Sequence, residues 1–406
     1  MAETGRPDDV EVRGLDGRPD DVCPPGSIAG SLRVEGIGIA NRLWERWVDI
    51  PPGRLPYTDP IEGDFQVFDR DCAQAIRERD GFLRGELEKG LWGYEWVRSH
   101  KPASVVVWND SYALTRGACL AARDLEIPSV EVIHGLTHVY RIGHWETKAF
   151  AGWKLGTLEY KTWAEFYGIP AKVVVTGSPL AYPYIDVDVT QLRETARGEL
   201  HIPQDAPTVC FLTDAAFGRS AWGDQGMSIG SFVEFAKAWA MVQRIVPGIH
   251  LVVKLHPQEY SRAIDPRGPE KYEAALKAVG VLENYAIVDD NLPLALGASD
   301  LTCGLQSTAM SIALCLGIPS VVLGYEPFFP EWLYKGRGFK VVREPRELIR
   351  VLTELVLGHG MGELIEETKE GARFFTGNVD GLAGARAARA IEAITDGREP
   401  DDGCWA

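Results

Sequence analysis

Three short segments of the sequence place polar side chains beside a glycine or a proline at the end of an apolar run. His134 follows such a run in EVIHG, His256 follows another in KLHP, and Ser307 and Thr308 follow a glycine in CGLQST. A histidine titrates near neutral pH and suits general-base chemistry toward a hydroxyl group. Hydroxyls in the first turn of a helix suit an anion, because the helix dipole is positive there. The three segments together predict a site for a phosphate-bearing ligand.

The imidazole of His134 is the candidate base of the first half of the chain. Gly135 follows it directly and allows a sharp turn, which leaves the side chain at the tip of the preceding strand. On position alone a hydrogen-bonding loop histidine fits better, because His138 and His144 follow closely. His134 and His138 also have the i, i+4 spacing of a metal pair, but no carboxylate pattern accompanies them. The further acceptor-side candidates are Asn109, Asp110, Gly135 and His138.

The KLHP segment supplies the second candidate catalytic histidine. Pro257 restricts the backbone of His256 to an extended conformation, which fixes the direction in which its side chain leaves the sheet. His256, with Lys254 nearby, could then donate to a departing monophosphate or diphosphate. An isolated His-Pro pair also occurs incidentally, and that alternative stays open.

The CGLQST segment supplies most of the predicted donor-side residues. Gly304 permits a tight turn, and Gln306, Ser307 and Thr308 follow it at the start of a predicted helix. Thr213, in the run TVCFLTD, completes the set. Taken alone, ordinary N-capping explains Ser307 and Thr308 better than an anion site does. The serial order of the three segments favours the functional interpretation, since each would face the same cleft.

For these residues to share a site, each must directly follow the end of a strand, and the sequence contains suitable strands. Stretches of helical spacing alternate with the runs ASVVVWND, SVEVI, KVVVTG, TVCFLTD, HLVVKL, AIVDD, DLTCG and SVVLGY. A strand, a helix and a strand within about 30 residues form a parallel βαβ unit. The alternation predicts an α/β fold with two doubly wound, Rossmann-like parallel-sheet domains that face a cleft. Predicted helices cover residues 111–125, 156–167, 190–199, 229–246, 269–279, 307–316 and 382–395.

The predicted domain boundaries follow from these elements. Residues 1–25 carry the hexapeptide GRPDDV twice and are too polar to fold alone, as expected of a tail. Residues 30–100 are the hardest part to interpret, with possible helices at 38–48 and 71–98 and a possible strand near Asp64–Phe68. No opening strand with a glycine-rich turn is evident, so the first domain is expected to be abbreviated. The predicted parts are an acidic tail at 1–28, an acceptor-side domain at 29–190, a nucleotide-donor domain at 200–380, a helix at 381–396 that packs across both, and a tail at 397–406.

Composition excludes several classes of function. The net charge of −16 disfavours nucleic-acid binding, which needs basic surface. The seven cysteines form no C-x-x-C pair, which argues against a disulfide framework and a structural zinc site. No apolar run reaches the roughly 18 residues of a membrane helix, and no signal-peptide pattern is present. The sequence therefore predicts a cytoplasmic globular protein.

At the residues named above, the sequence resembles the GT-B superfamily of nucleotide-sugar glycosyltransferases. Its particular likeness is to the capsule and teichoic-acid branch of polysaccharide biosynthesis, with its CDP-glycerol glycerophosphotransferases and CMP-sugar transferases. The resemblance spans residues 100–330 and depends on the order of four motifs. These are VVVWND…IPSVEVIHG, KVVVTGSPLAYPY, LVVKLHP and SDLTCGLQSTAMSIALCLGIPSVVLG.

The resemblance implies a metal-independent transferase that moves a sugar or polyol-phosphate group from a nucleotide-activated donor to a hydroxyl acceptor. It implies that His134 is the base, that His256 contacts the donor phosphate, and that Ser307 and Thr308 bind this phosphate from the helix start. Gly177 would mark the turn that ends the first domain. No cofactor is expected beyond the nucleotide-activated co-substrate. The expected partners are this donor and a glycan or small-molecule acceptor, with a homodimer left open.

Two alternatives to the transfer of a sugar or polyol-phosphate group remain open. UDP-GlcNAc 2-epimerases share the fold, and Asn109-Asp110 and the CGLQST segment are similar to their motifs. That family has acidic residues after the glycine-rich turn, where this chain has Ser307 and Thr308. The second alternative is a non-catalytic nucleotide-sugar binding protein. The DxD pattern at 186–188 lies in the predicted connection between the domains, and we interpret it as coincidental.

Overall fold

A computed structural model describes residues 80–109, 112–133, 151–166, 172–213, 227–257, 269–289, 291–305, 307–324 and 330–401. Side chains are described for all of these except 80–87 and 227–230. Three of the predicted elements lie outside the described residues: the tail at 1–28, the helix at 38–48 and the strand near Asp64–Phe68.

Two helices, α1 (Asp80–His100) and α2 (Ala113–Asp124), form a compact unit that is separate from the two sheets. The two helices touch through their backbones at glycines. A Cβ atom added to Gly117 would lie 1.8 Å from the carbonyl oxygen of Gly90, and one added to Gly93 would lie 2.2 Å from a backbone oxygen of α2. Only glycine therefore allows the helices to approach so closely.

The first sheet is parallel and has its strands in sequence order. The helix that follows its third strand is α3 (Leu158–Phe166), which packs Tyr160 and Trp163 against the sheet. The four strands are β1 (Val105–Val107), β2 (Ser129–Val132), β3 (Trp153–Gly156) and β4 (Lys172–Val175).

A buried ion pair joins the two central strands of the first sheet. Lys154 on β3 lies directly opposite Glu131 on β2, and its Nζ donates a hydrogen bond to a carboxylate oxygen of Glu131. Both side chains are more than nine-tenths buried. The sequence did not predict β3, because a lysine and a glycine interrupt its short apolar run. The cross-strand carboxylate explains how a lysine can occupy this position.

The second sheet is also parallel, with the order β10-β9-β8-β5-β6-β7. The chain runs outward from β5 through β6 to β7, then returns to the other side of β5 and continues outward through β8, β9 and β10. The strand order therefore reverses between β5 and β8. The six strands are β5 (Thr208–Leu212), β6 (His250–Lys254), β7 (Tyr285–Val288), β8 (Leu301–Gly304), β9 (Ser320–Leu323) and β10 (Phe339–Val342).

Nine helices of the described residues accompany or follow the second sheet. Their apolar residues recur every three or four positions, as Leu348, Val351, Leu352 and Leu355 do along α10. The helices are α4 (Val189–Glu199), α5 (Met227–Ile245), α6 (Glu270–Ala278), α7 (Leu292–Gly297), α8 (Thr308–Cys315), α9 (Glu331–Tyr334), α10 (Pro345–Val356), α11 (Met361–Thr376) and α12 (Ala383–Thr395).

Two apolar layers sandwich the second sheet. On one face, α4, α7, α8 and α11 pack against residues such as Cys210 and Leu212. On the other face, α5, α6 and α10 pack against residues such as Phe211, whose ring contacts those of Phe232 and Phe235. Alternate residues of β5 thus enter opposite layers, as expected for a strand that is buried on both sides.

The chain passes between the two sheet regions at two adjacent glycines. Gly177 follows β4 and Gly377 follows α11, with φ values of +84° and +87°. The N–H of Ser178 donates to the carbonyl oxygen of Thr376 at 2.7 Å. A Cβ atom on Gly377 would lie 2.6 Å from the Cα of Gly177. Both positions therefore require glycine, for conformation and for space.

The predicted fold class is confirmed, since both sheets are parallel and helices cover them. The domain boundaries at 190, 200 and 380 stay predictions. Beyond Gly377 the chain returns to the first sheet, where Ala387, Ala390 and Ile394 of α12 pack on the face opposite α3. No helix in the part of the chain described here is both long and apolar enough to cross a membrane.

Candidate functional site

The carboxyl ends of β5 and β8 form the centre of the candidate site. These neighbouring strands lie where the strand order reverses, which is where open parallel sheets bind ligands. Leu212 is the last residue of β5, and it pairs with Gly304 at the end of β8 and with Lys254 at the end of β6. A Cβ atom at Gly304 would lie 2.7 Å from the carbonyl oxygen of Leu212. The two strands therefore approach each other closely at their ends, and only glycine fits at this point.

The start of α8 follows directly after Gly304. Ser307 has the extended backbone of an N-cap residue, with φ −132° and ψ 138°, and its Oγ accepts a hydrogen bond from the N–H of Ala309 at 3.3 Å. Thr308 is the first helical residue and is half-buried. Capping thus engages the Ser307 hydroxyl oxygen, while the helix dipole still favours an anion at this end. Gln306, a predicted neighbour, lies outside the described residues.

Thr213 continues the contact between β5 and β6 beyond the ends of the strands. Its N–H donates to the carbonyl oxygen of Lys254 at 3.0 Å, and its Oγ1 accepts a hydrogen bond from the N–H of His256 at 2.8 Å. The side chain is 3% exposed. The residue that we predicted as a phosphate ligand is therefore engaged with the backbone of the candidate catalytic histidine.

The Lys254 ammonium group is directed toward two backbone carbonyl groups. Its Nζ donates to the carbonyl oxygens of Leu255 at 2.6 Å and Asp289 at 2.8 Å, and the residue is 7% exposed. These contacts tie the end of β6 to the residue after β7. Sequence reasoning missed Asp289 as a partner, because its backbone oxygen, not its side chain, makes the contact.

The structure thus brings six of the predicted residues to one edge of the second sheet: Thr213, Lys254, His256, Gly304, Ser307 and Thr308. His256 is half-buried and Pro257 beside it is exposed. On the first sheet, Asn109 lies two residues beyond β1 and is 4% exposed. The other acceptor-side candidates, Asp110, His134, Gly135 and His138, lie outside the described residues. The roles proposed for all of these residues stay predictions.

The buried thiols near the site are not nucleophiles. Burial raises the pKa of the Cys210 thiol to about 12, against smaller opposing effects of Ser299 and Lys254. Burial also raises the pKa of the Cys303 thiol on the neighbouring strand. Both side chains therefore stay protonated at neutral pH and behave as small apolar residues, as their place in apolar runs indicates.

Among the residues that the structure describes, no group of three or more His, Cys, Asp and Glu side chains could hold a metal ion. Asp188 of the DxD pattern is the N-cap of α4, and its carboxylate accepts the N–H of Gln191 at 3.0 Å. Asp186 has a φ of 59°, as turn residues can have. The pattern therefore has a local structural role.

The chain has a GT-B-like fold of two parallel-sheet α/β regions. It is similar to the UDP-GlcNAc 2-epimerase of Neisseria meningitidis bound to UDP-GlcNAc, with a TM-score of 0.55 and 16% identity over 76% of this chain and 81% of that one. It is also similar to the S. aureus protein MnaA solved with UDP, with a TM-score of 0.53 and 16% identity over 78% and 83%. The Anabaena protein HepE, in complex with UDP and glucose, has a TM-score of 0.50 and 13% identity over 74% and 81%.

At these identities the similarity concerns the fold alone. No protein-family model matches the sequence, and no curated protein matches it significantly. The GT-B resemblance inferred from the motifs is thus confirmed at the level of the fold. The three solved structures do not support the capsule and teichoic-acid branch in particular.

Proposed function

We propose that this protein is an enzyme that binds a nucleotide-activated sugar, with the phosphates of the nucleotide at the carboxyl edge of the second sheet. The observation that carries the proposal is the meeting of Thr213, Gly304 and the start of α8 where the strand order reverses. A phosphate there would gain from the positive end of the helix dipole. Gly304 lets the ends of β5 and β8 approach each other closely beside this helix start.

Three residues of the site are proposed to contact the phosphate of the bound nucleotide. His256 contacts the departing phosphate, and Ser307 and Thr308 contact it from the helix start. The strongly negative net charge of −16 does not oppose this, because the local field at a helix start acts at short range. Three proteins of this fold were solved with UDP, UDP-GlcNAc or UDP and glucose, which supports a uridine nucleotide as the first ligand to test.

The first candidate reaction is isomerisation of a UDP-sugar by a UDP-GlcNAc 2-epimerase-like enzyme. Its support is the similarity to the Neisseria meningitidis epimerase over about three quarters of this chain, 76%. This reaction needs no acceptor, so the nucleotide sugar would be its single substrate. Asn109, buried beyond β1, is the described first-sheet residue that resembles an epimerase motif.

The second candidate reaction is transfer of a sugar or polyol-phosphate group to a hydroxyl acceptor, as in the capsule and teichoic-acid branch. The observation that favours it is the pair Ser307 and Thr308 at the start of α8, where epimerases have acidic residues. In this reaction His134 would deprotonate the acceptor, and the donor would be a nucleotide sugar or a CDP-alcohol.

Ligand binding is tested by a thermal-shift screen against CMP, CDP, UDP, GDP and dTDP. A nucleotide that binds only the folded protein raises the melting temperature, by an amount that grows with its concentration. We expect a rise with one of them and a loss of that rise in Ser307→Asp. Aspartate caps a helix as well as serine does, so this variant keeps the fold but repels a phosphate.

The matched control is Asp188→Ala, which removes the cap of α4. It should lower the melting temperature modestly and leave the nucleotide-induced rise unchanged. If no nucleotide raises the melting temperature, or if Ser307→Asp keeps the full rise, the proposed site is wrong.

The reaction is tested by proton NMR of UDP-GlcNAc incubated with the protein alone. A second set of anomeric signals without released UDP indicates isomerisation, whereas release of nucleotide only in the presence of an acceptor indicates transfer. Nucleotide binding with neither isomerisation nor transfer would indicate a non-catalytic binding protein. In that case the variant His134→Ala should also keep the full biological activity of the protein.

A further inference from the structure

The backbone of His256 is held in place on both of its sides. Its N–H donates to Thr213 Oγ1 at 2.8 Å, and Pro257 restricts it to extended conformations. The preceding residue is held as well, because the N–H of Leu255 donates to the carbonyl oxygen of Val288 at 2.8 Å. The backbone of His256, and with it the direction of its Cα–Cβ bond, is therefore set by the surrounding contacts.

The contact at Thr213 differs from a normal sheet ladder. Up to Lys254 the strands β5 and β6 are joined by backbone groups, and Thr213 N–H still bonds to the Lys254 carbonyl oxygen at 3.0 Å. The next N–H in line, that of His256, bonds to a side-chain oxygen instead. Threonine is β-branched and has few χ1 rotamers, so this acceptor is well fixed.

Lys254 also stabilises the backbone next to His256. Its Nζ joins the carbonyl oxygen of Leu255, directly before His256, to that of Asp289 after β7. The ammonium group therefore reinforces the turn between two strand ends, in a position that is 7% exposed. The side chains of Thr213 and Lys254 thus both bond to backbone groups next to or near His256.

We propose that Thr213 is a positioning residue: its hydroxyl fixes the backbone of His256 so that the imidazole is presented at the carboxyl edge of the second sheet. This inference rests on the proposed function of that edge. It assigns to Thr213 a different role from the direct phosphate contact predicted from the sequence. Lys254 assists by holding the carbonyl group that precedes His256.

The role of Thr213 is tested with Thr213→Val, which has nearly the same shape but no acceptor. Thr213→Ser restores the oxygen. Thr208→Val is the matched control, because Thr208 is a buried threonine at the other end of β5, with its Oγ1 bonded to the carbonyl oxygen of Ala206 at 3.0 Å. The Cε1–Hε1 signal of His256, assigned by its absence in His256→Ala, reports the environment of the imidazole.

We expect Thr213→Val to shift the His256 signal and to weaken UDP binding about tenfold, the effect of losing one well-placed hydrogen bond. Thr213→Ser and Thr208→Val should leave both close to the wild type. In the His256→Ala background, Thr213→Val should cause no further loss of affinity, because the residue acts through His256.

Three results would overturn the proposal. The first is an unmoved His256 signal in Thr213→Val, the second is an equal loss of affinity in the His256→Ala background, and the third is no rescue by Thr213→Ser. If Thr213→Val does not fold, Thr213→Ala removes the same acceptor and is measured in the same way. If the wild type binds no nucleotide, the proposed function fails, but the His256 signal still decides whether Thr213 positions this residue.

Discussion

At Gly304, beside the candidate site, the second sheet has no space for a side chain. A Cβ atom there would lie 2.7 Å from the backbone oxygen of Leu212, on the neighbouring strand. A backbone oxygen in the middle of a sheet cannot move without disturbing the ladder. A larger residue at Gly304 would therefore push β8 away from β5, at the point where the proposed phosphate site begins.

We expect Gly304→Ala to lower the free energy of unfolding by about 1–3 kcal/mol, the usual cost of overpacking. Nucleotide binding should weaken as well, because the start of α8 moves with the end of β8. Urea denaturation and calorimetric titration with UDP measure the two effects.

The control for this prediction is Gly198→Ala in α4, where an added Cβ atom would meet nothing within 4 Å. Alanine favours a helix by about 0.5–1 kcal/mol over glycine, so this variant should be slightly more stable and bind nucleotide normally. Wild-type stability and binding in Gly304→Ala would contradict the close contact at this site.

For individual residues, the sequence indicated where the candidate site lies but not which groups its polar side chains bind. The positions of His256, Gly304 and Ser307 at strand and helix ends follow from apolar runs and turn residues. The hydrogen bonds of Lys254 and Thr213 do not, because they depend on how two strands separated by a long helix end beside each other. A side chain that can reach a ligand can equally reach a backbone carbonyl, and only the three-dimensional register decides between them.

The strands themselves were predictable where they are uniformly apolar. Runs such as TVCFLTD and HLVVKL coincide with β5 and β6, because strands buried on both faces need apolar residues at every position. The strand β3 was missed because it contains a lysine, whose buried ammonium group is paired with Glu131. A single sequence does not show that partner, which lies 23 residues earlier in the chain.

The Glu131–Lys154 pair yields a prediction about the first sheet. Glu131→Leu should lower the free energy of unfolding by about 3–5 kcal/mol, because it leaves a buried ammonium group without its carboxylate. The double variant Glu131→Leu with Lys154→Met should recover most of this loss, since two apolar residues need no partner. Equilibrium denaturation of the single and double variants measures both values.

The exposed pair of Lys172 and Glu399 is the control for the buried one. Its side chains are 62% and 73% exposed at a distance of 3.3 Å, so Glu399→Gln should cause no measurable change. Additive effects of the two buried substitutions would contradict a direct interaction between β2 and β3.

For the whole molecule, the important feature is that α12 covers the first sheet although it follows the second in the chain. Ala390 lies in the layer that contains Val130, Leu155 and Val174 and is 5% exposed. The two crossings at Gly177 and Gly377 make this return possible. The sequence predicted the helix from its spacing, but the sheet that it covers is fixed by packing between distant parts of the chain.

We expect Ala390→Glu to deprotect the amides of β2, β3 and β4 in hydrogen–deuterium exchange, because it places a charge in an apolar layer. The amides of β5, β6 and β8 should keep their protection, since α12 does not belong to the layers around them. Ala388→Glu, at an exposed position of the same helix, is the control and should change neither sheet. Equal deprotection of both sheets would show that they unfold as one unit.

The position of α12 also has a consequence for the folding of the chain while it is being synthesised on the ribosome. The hydrogen bond between Thr395 and Ser104 at 2.9 Å joins residues 291 positions apart. During translation the strands β1 to β4 emerge well before the helix that shields their apolar face. The strands of the second sheet, which form one continuous stretch of chain, emerge between them. The nascent first sheet therefore has one side uncovered until α12 is made, and we expect this period to be when the chain most needs a chaperone.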